Sequence, residues 1–151
     1  MQVILALSTF LNAICITFDI TALTICYRAL DFLKDDRVPL NLTKNLLITC
    51  AVIYCFAWLL IVPTNFTRGK IVNRVYFVCY MSYIIAGVLS VILTMDITNT
   101  RDVYDVAGKN AQVLEIAILI YLSFLFNLLL LFVGCFSLVQ NPMEEVVIAL
   151  P

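Results

Sequence analysis

The chain has 151 residues, of which 64% are hydrophobic and 13% charged, with a net charge of −1 and no histidine. A mean hydropathy of +1.06 leaves too few polar residues to cover a soluble domain. The near-neutral charge argues against a nucleic-acid partner, and the absence of histidine removes the commonest metal ligand and near-neutral base. We therefore expect one domain, residues 1–151, surrounded by a lipid bilayer.

Four apolar runs follow one another along the chain, each bounded by charged residues. They cover Val3–Tyr27, Leu46–Val62, Val75–Met95 and Ile116–Val139. Each is about 17 to 25 residues long, enough to cross about 30 Å of hydrocarbon as a helix. Strands of a membrane barrel would alternate in polarity, which these runs do not. The sequence predicts an all-α protein, an integral membrane four-helix transmembrane bundle.

The first run begins almost at Met1 and has the position of a secretory signal peptide. No basic residue precedes it, and its apolar character continues past Asp19 to Tyr27 without a small-residue cleavage site. We therefore expect this run to be retained as a signal-anchor span.

Polar residues within the runs predict an intramembrane polar cluster of Asn12, Asp19 and Asn127. Asn12 and Asp19 are seven positions apart and share one helical face, and Asn127 lies near the middle of the fourth run. An ionisable residue at this depth is a functional candidate because its burial is costly. No Lys or Arg lies within the runs, so we expect Asp19 to be largely protonated and to hydrogen-bond between helices. A proton or ion pathway is the alternative.

The first and third connections mix both signs of charge. The first, Arg28–Lys44, contains Pro39, which is expected to interrupt any continuing helix. The third, Asp96–Glu115, is predicted as a solvated loop rather than an interfacial helix, although Val103, Val106 and Ala107 offer a short apolar stripe.

The second connection is purely basic, with Arg68, Lys70 and Arg74 and no acid. Four spans place both termini on the side of this basic loop. A literal count of Lys and Arg is larger on the opposite side and puts the termini outside, whereas the acid-free density of the basic loop favours cytosolic termini. We expect cytosolic termini.

Two glycosylation sequons begin at Asn41 and Asn65, on opposite sides of the membrane. Only one side is luminal, so both cannot be modified. Asn41 is the preferred acceptor because Asn65 lies against the end of the second run.

Six cysteines fall inside the apolar runs, away from loops where disulfides form. They are Cys15, Cys26, Cys50, Cys55, Cys79 and Cys135. Their spacing matches neither a redox motif nor a zinc site. We predict buried free thiols that act as small apolar side chains.

Aromatic residues and glycines have expected packing roles. Rings near the ends of spans are predicted to lie at the lipid headgroups: Trp58, Tyr76, Tyr80, Tyr83 and Tyr121. Gly87 and Gly134 are predicted to allow close helix contact. No motif of a hydrolase, a metalloprotease or a phosphate-binding loop occurs, so we expect no enzyme activity, no catalytic residue, no cofactor and no metal site.

The layout resembles the lysosome-associated four-span transmembrane proteins. The resemblance rests on the turn TRGKIVNR leading into VYFVCYMSYIIAGVLSVIL, on Phe77-Val78-Cys79-Tyr80 at the entry to the third run, and on LFNLLLLFVGCFSLVQN. It implies cytosolic termini, luminal first and third loops, and a non-enzymatic role in endosomes and lysosomes. The tail lacks the proline-tyrosine motif with which family members recruit ubiquitin ligases.

The functional expectation is a membrane adaptor or accessory subunit of endomembranes, acting with a transporter or receptor, as a homo-oligomer or with another membrane protein. The plasma membrane is the alternative location. Two other functions stay open: the transmembrane core of a transporter or channel lined by Asn12, Asp19 and Asn127, and a serpentine-receptor-like bundle with an outward N-terminus.

Overall fold

The structure, a computed structural model, describes residues 2–32, 39–66, 70–106 and 110–140, and these form four long helices. The helices are α1 Gln2–Phe32, α2 Pro39–Thr64, α3 Lys70–Val106 and α4 Asn110–Gln140. Each contains a segment long and apolar enough to cross a bilayer: Val3–Ala29, Leu40–Thr64, Ile71–Arg101 and Ala111–Ser137. The predicted all-α four-helix membrane bundle is confirmed.

The third connection differs from its prediction. Asp96–Val106 continues α3 as a helix, so the expected solvated loop is wrong over these residues. Ile97 and Thr100 are buried and extend the line of core positions along α3. Charge marks where the lipid-compatible segment ends, but a helix continues while its buried face has neighbours to pack against. Ala107 lies outside the described residues.

The first connection is shorter than the apolar runs suggested. α1 continues to Phe32, and α2 begins at Pro39, seven residues before the second apolar run. Proline is compatible with the first turn of a helix because an N–H group at that position has no helical partner to lose. Pro39 therefore opens α2.

The four helices pack as a closed square in which each contacts two neighbours. α1 packs against α2 and α4, and α3 also packs against α2 and α4, so α1 and α3 face each other diagonally. Buried positions on each helix recur every three or four residues, the spacing of a left-handed bundle. On α1 they are Leu5, Ser8, Leu11, Asn12, Cys15, Asp19, Ala22, Cys26 and Ala29. Gln2 and Gln140 lie at the same end of the up-down bundle.

Two packed clusters divide the core along the bundle axis. The polar half contains Leu5, Leu11, Cys15, Cys50, Tyr54, Ala57, Ile61, Val72, Tyr76, Cys79, Tyr83, Ala86 and Leu130. The apolar half contains Ala22, Cys26, Ala29, Leu40, Leu47, Leu93, Ile97, Val113, Ile116, Ala117 and Ile120. The polar half holds the buried tyrosines and lies at the end of the bundle where α1 begins and α4 ends. The apolar half lies at the opposite end.

All six cysteines are free, as predicted, but they are not all buried. Cys55 is partly buried and Cys135 is exposed on the lipid-facing side of α4, so the burial prediction is wrong for these two. Three buried thiols donate to backbone carbonyls of a neighbouring helix: Cys15 to Ser123, Cys26 to Leu40 and Cys79 to Ala57. These thiols are weak donors as well as small apolar groups.

Candidate functional site

Asn12 connects three helices at one level of the polar half. Its Nδ2 atom donates to the backbone carbonyl of Tyr54 on α2 at 3.2 Å and to the hydroxyl of Tyr83 on α3 at 3.3 Å. An amide nitrogen has two hydrogens, and both are used. The Tyr83 ring therefore spans the diagonal of the square, which the helix backbones do not bridge.

Asn127 adds the fourth helix at the same level. Its Nδ2 atom donates to the backbone carbonyl of Tyr83 at 3.3 Å. Gly87 makes room for this side chain, because a Cβ atom there would lie 2.8 Å from Asn127 Oδ1. The predicted close approach at Gly87 is confirmed. Asn12 and Asn127 are thus brought together through one residue, Tyr83.

A second diagonal bridge lies closer to the end of the polar half. The Tyr76 hydroxyl and Ser8 Oγ form a hydrogen bond of 3.1 Å between α3 and α1. Tyr76 and Tyr83 are 2% and 1% exposed, so the prediction that they anchor at the headgroups is wrong. Their seven-residue spacing places both on the core line of α3. A buried tyrosine needs a partner for its hydroxyl, and the polar residues of α1 supply one.

The other three rings, those of Trp58, Tyr80 and Tyr121, are not fully buried. Trp58 and Tyr121 are about one third exposed, at 37% and 36%. The Tyr80 ring lies against Gly134 of α4, where a Cβ atom would overlap it, which confirms the predicted close approach at Gly134.

Asp19 occupies a separate level, towards the middle of the bundle. It is 2% exposed, and seven residues separate it from Asn12, about 10 Å along a helix. The Ser123 hydroxyl of α4 lies beside its carboxyl. Asp19 therefore does not join the asparagines in one contact set, and the predicted cluster is a column with two levels.

Tyr54 joins the two levels and was not foreseen from the sequence. Its carbonyl accepts the bond from Asn12, while its hydroxyl lies beside Ser90 of α3 and the Cys15 thiol. Its ring is fully buried. Tyr54 and Cys50 lie four positions apart in the core spacing of α2, and that periodicity is the signal that would have identified Tyr54.

Five buried polar atoms lack a hydrogen-bond partner within the described residues. They are Asn12 Oδ1, Asp19 Oδ2, Tyr54 OH, Ser123 Oγ and Asn127 Oδ1. Each such atom costs about 1–3 kcal/mol when it stays unsatisfied, a cost that packing alone does not remove. All five are oxygen atoms that can accept a hydrogen bond from a small molecule or coordinate a cation.

The apolar half has two interhelical side-chain hydrogen bonds, one from the fully buried Thr43 and one between exposed side chains at its rim. Thr43 Oγ1 donates to Asp96 Oδ2 at 2.5 Å between α2 and α3. The hydroxyls of Thr98 and Tyr121 form a hydrogen bond of 2.7 Å between α3 and α4. Apart from Thr43 and Thr100, the buried side chains here are aliphatic residues, alanines and Cys26. Asp19 thus lies between the polar half and the apolar half of the core.

The other predicted site residues lie outside this column. Asn41 is exposed in the first turn of α2, so its sequon is helical, not the surface loop that a glycosylation acceptor usually occupies. Of the predicted basic loop, Arg68 lies outside the described residues. Lys70 is the first residue of α3, and Arg74 is exposed on its second turn, so two of the three basic residues belong to a helix.

The chemistry open to the site is that of oxygen atoms. Among the described residues, no group of three His, Cys, Asp or Glu side chains is placed to hold a metal ion. Asp19 is accompanied by the hydroxyl group of Ser123, and hydroxyl and carboxylate oxygens form hydrogen bonds and coordinate hard cations.

Comparisons with known proteins leave the family open. A scan against protein-family models, a search of curated proteins and a search of solved structures each found no match.

Proposed function

We propose that the chain is a non-enzymatic membrane adaptor or accessory subunit of endomembranes that assembles with a transporter or receptor. The strongest support is that the polar side chains of the polar half do not continue as a route through the apolar half. On the apolar side of Asp19 most of the core consists of buried apolar side chains, among them Leu47, Leu93 and Ile120, each at most 2% exposed. The buried hydroxyls of Thr43 and Thr100 in this half both donate to Asp96, so they are already satisfied. A conducting protein needs a polar route from one side to the other.

The outer face of α1 is the surface that supports a partner helix in the bilayer. A groove of about 330 Å³ runs beside Phe10, Ala13, Ile14, Thr17 and Phe18. The hydroxyl of Thr17 donates to the carbonyl of Ala13 at 2.8 Å, so it is satisfied without water. Small side chains let two helices approach closely in lipid, where no hydrophobic force drives them together.

The same pattern continues along α1. Thr21 donates to the carbonyl of Thr17 at 2.7 Å, and Thr24 donates to that of Ile20 at 2.8 Å. Ala13, Thr17 and Thr21 thus form a row of small residues spaced by four, with no unsatisfied donor facing the lipid. We assign this row and the groove beside it to a helix of the partner protein.

A site-specific crosslinking experiment tests this assignment in cells. A photoreactive amino acid at Thr17 is expected to give one adduct with a transporter or receptor, identified by mass spectrometry and shown by reciprocal isolation. The same amino acid at Val88, an exposed position on α3, is the matched control and should not give it. Equal labelling at both positions, or adducts with lipid alone at Thr17, would count against the accessory role.

The second candidate function is the transmembrane core of a transporter or channel, and the five unsatisfied polar atoms favour it. They lie on α1, α2 and α4 and include the carboxyl of Asp19. Purified protein in liposomes distinguishes the two functions. The accessory role predicts no flux of protons, Na⁺, K⁺ or amino acids above that of empty liposomes, whereas saturable flux that Asp19→Asn abolishes would establish the transport role.

Location and orientation belong to the same proposal: endosomal or lysosomal membrane, with cytosolic termini. Support comes from the acid-free basic segment of Arg68, Lys70 and Arg74 on the side of the termini. An epitope tag at Pro151 should be digested by protease added to sealed microsomes. A protected tag would show the opposite orientation. Independently, a glycan-dependent shift in electrophoretic mobility that is lost in Asn41→Gln would place the first connection in the lumen.

A further inference from the structure

The middle of the bundle contains a carboxyl group, that of Asp19, with no cationic partner among the described residues. The basic residues of the described helices lie at helix ends: Arg28, Lys44, Lys70, Arg74 and Arg101. Arg28 is the nearest to Asp19 along α1, and nine residues put it about 13 Å away along the axis. The titratable groups that act on or are acted on by Asp19 are Cys15, Cys50 and Tyr54, none of which carries positive charge.

Oxygen atoms from two further helices lie near this carboxyl. Ser123 Oγ of α4 lies beside it, and the Tyr54 hydroxyl of α2, next to Ser90 and the Cys15 thiol, is close enough to interact with it electrostatically. Asp19 Oδ2, Ser123 Oγ and Tyr54 OH are buried, and none has a hydrogen-bond partner within the described residues. The residues that carry them are at most 3% exposed. Three buried oxygens without a hydrogen-bond partner, one from each of three helices, thus lie in the part of the core where no basic residue of the described helices offsets an ionised Asp19.

We propose that the centre of the bundle binds one monovalent cation of the size of Na⁺, held by Asp19 Oδ2, Ser123 Oγ and Tyr54 OH. Hard cations take oxygen ligands, and hydroxyl and carboxylate oxygens are among those they prefer. One carboxylate balances one positive charge, so the bound pair is neutral within the low-dielectric interior. Ca²⁺ or Mg²⁺ would leave an uncompensated charge there, which makes a divalent ion a poor fit.

The polar half supplies the entry path for this cation. Below Asp19, the unsatisfied Oδ1 atoms of Asn12 and Asn127 form the next level of oxygen acceptors. Ser8 and Tyr76 follow them towards the end of the bundle where α1 begins. Oxygen-bearing side chains therefore recur among apolar ones from that end to Asp19, while the apolar half closes the other side. The cation enters and leaves by the same end, so the site stabilises the bundle and does not transport.

Cation-dependent stability of the full chain tests the site directly. The protein is reconstituted in nanodiscs of neutral lipid, and thermal unfolding is followed at constant ionic strength in NaCl, KCl or choline chloride. The proposal predicts a saturable rise of the unfolding midpoint with Na⁺ that choline does not produce. A midpoint equal in all three salts would overturn the proposal. A midpoint that responds to pH but not to Na⁺ would also overturn it, because a proton then occupies the carboxyl.

Substitutions assign the effect to these residues. Asp19→Asn keeps the shape of the side chain and removes its charge, so it should fold and lose the Na⁺-dependent rise. Tyr54→Phe and Ser123→Ala should still be stabilised by Na⁺. The Na⁺ concentration that gives half of the stabilisation should be at least about tenfold higher, the effect of losing one ligand bond. Asp96→Asn, which alters a carboxyl at the rim of the apolar half, is the matched control and should respond to Na⁺ as the unmodified protein does. A Na⁺ response retained in Asp19→Asn would place the cation elsewhere and refute the assignment.

Discussion

The two halves of the bundle share one helical spacing but are held together by different forces. In the apolar half, Leu40, Leu47, Ile97 and Ile116 fill the core with side chains that have no polar group to satisfy. In the polar half, Tyr76 and Tyr83 reach across the diagonal of the square to α1. The periodicity of buried positions thus sets where the helices meet, and the side chains at those positions decide whether packing or hydrogen bonding joins them.

The difference matters because lipid surrounds both halves. In a bilayer, close packing stabilises helix association, and an interhelical hydrogen bond contributes about 0.6–2 kcal/mol. The apolar half therefore depends on the shape of its side chains. The polar half adds orientation, since the Nδ2 atom of Asn12 satisfies Tyr54 and Tyr83 only in one alignment of α1, α2 and α3.

The largest expected effect comes from emptying the apolar half. Leu47→Ala removes a fully buried side chain and should lower the free energy of unfolding by about 2–5 kcal/mol. Leu59→Ala on the same helix is the matched control, because Leu59 is 66% exposed and should cost little. Unfolding by titration with SDS measures both. Similar losses for the two variants would mean that the apolar half is not tightly packed.

A smaller effect is expected from breaking the hydrogen bonds of the polar half. Asn12→Leu removes two interhelical bonds and should lower the free energy of unfolding by about 1–2 kcal/mol. Asn73→Leu, at an exposed position of α3, is the control. If Asn12→Leu left the stability unchanged under the same titration, the polar half would be held by packing, like the other half.

A still smaller effect separates the two roles of Asp19. In choline chloride, Asp19→Leu should weaken packing by about 1 kcal/mol or slightly more, whereas Asp19→Asn keeps hydrogen-bonding capacity and should be close to neutral. SDS titration and the yield of folded protein measure both. A folded, correctly located Asp19→Asn protein that had lost a pH-dependent flux would instead support the transporter function.

The two halves should also differ in how readily water-soluble reagents reach them, with little change in stability. Cys15 lies beside Tyr54 and Ser123 in the polar half, and Cys26 lies in the apolar half. In variants that keep only one of these cysteines, a small charged methanethiosulfonate should modify Cys15 faster than Cys26 in bilayers. Equal rates of modification would show that the polar half admits no more water than the apolar half.

The fold was predictable because the length and hydropathy of each apolar run identify it as a membrane-spanning helix. The helix ends were not predictable, since hydropathy reports contact with lipid, whereas α3 continues past Asp96 because Ile97 and Thr100 are buried against neighbouring helices. Asp19 and Asn12 were identified because polar residues stand out in apolar runs. The separation of Asp19 from the asparagines was not predicted. It results from the seven residues between Asn12 and Asp19 on α1 and from the contact of Asp19 with α4, which a local sequence pattern does not reveal.

The burial of the tyrosines was also not predictable from the sequence. Tyr76 and Tyr83 have the composition of headgroup anchors, and only the position of α1 across the square explains their burial. Tyr54 carried no polar signal among its apolar neighbours. A tyrosine is amphipathic, so its sequence context fits both a membrane interface and a buried hydrogen bond.

The packing of α1 against α4 has a consequence for biosynthesis. α1 carries Asn12 and Asp19 into the bilayer before α2, α3 and α4 have been made, and an acidic residue at the centre of a lone span opposes insertion by about 2.5–3.5 kcal/mol. The group beside the Asp19 carboxyl is Ser123, more than a hundred residues later. Until α4 is made, the Asp19 carboxyl lacks the Ser123 hydroxyl, and we expect α1 to stay near the translocation channel or a chaperone that shields its polar face. A nascent chain stopped before Ser123 should therefore stay associated with the insertion machinery and be degraded, while a chain that includes α4 is released into the membrane.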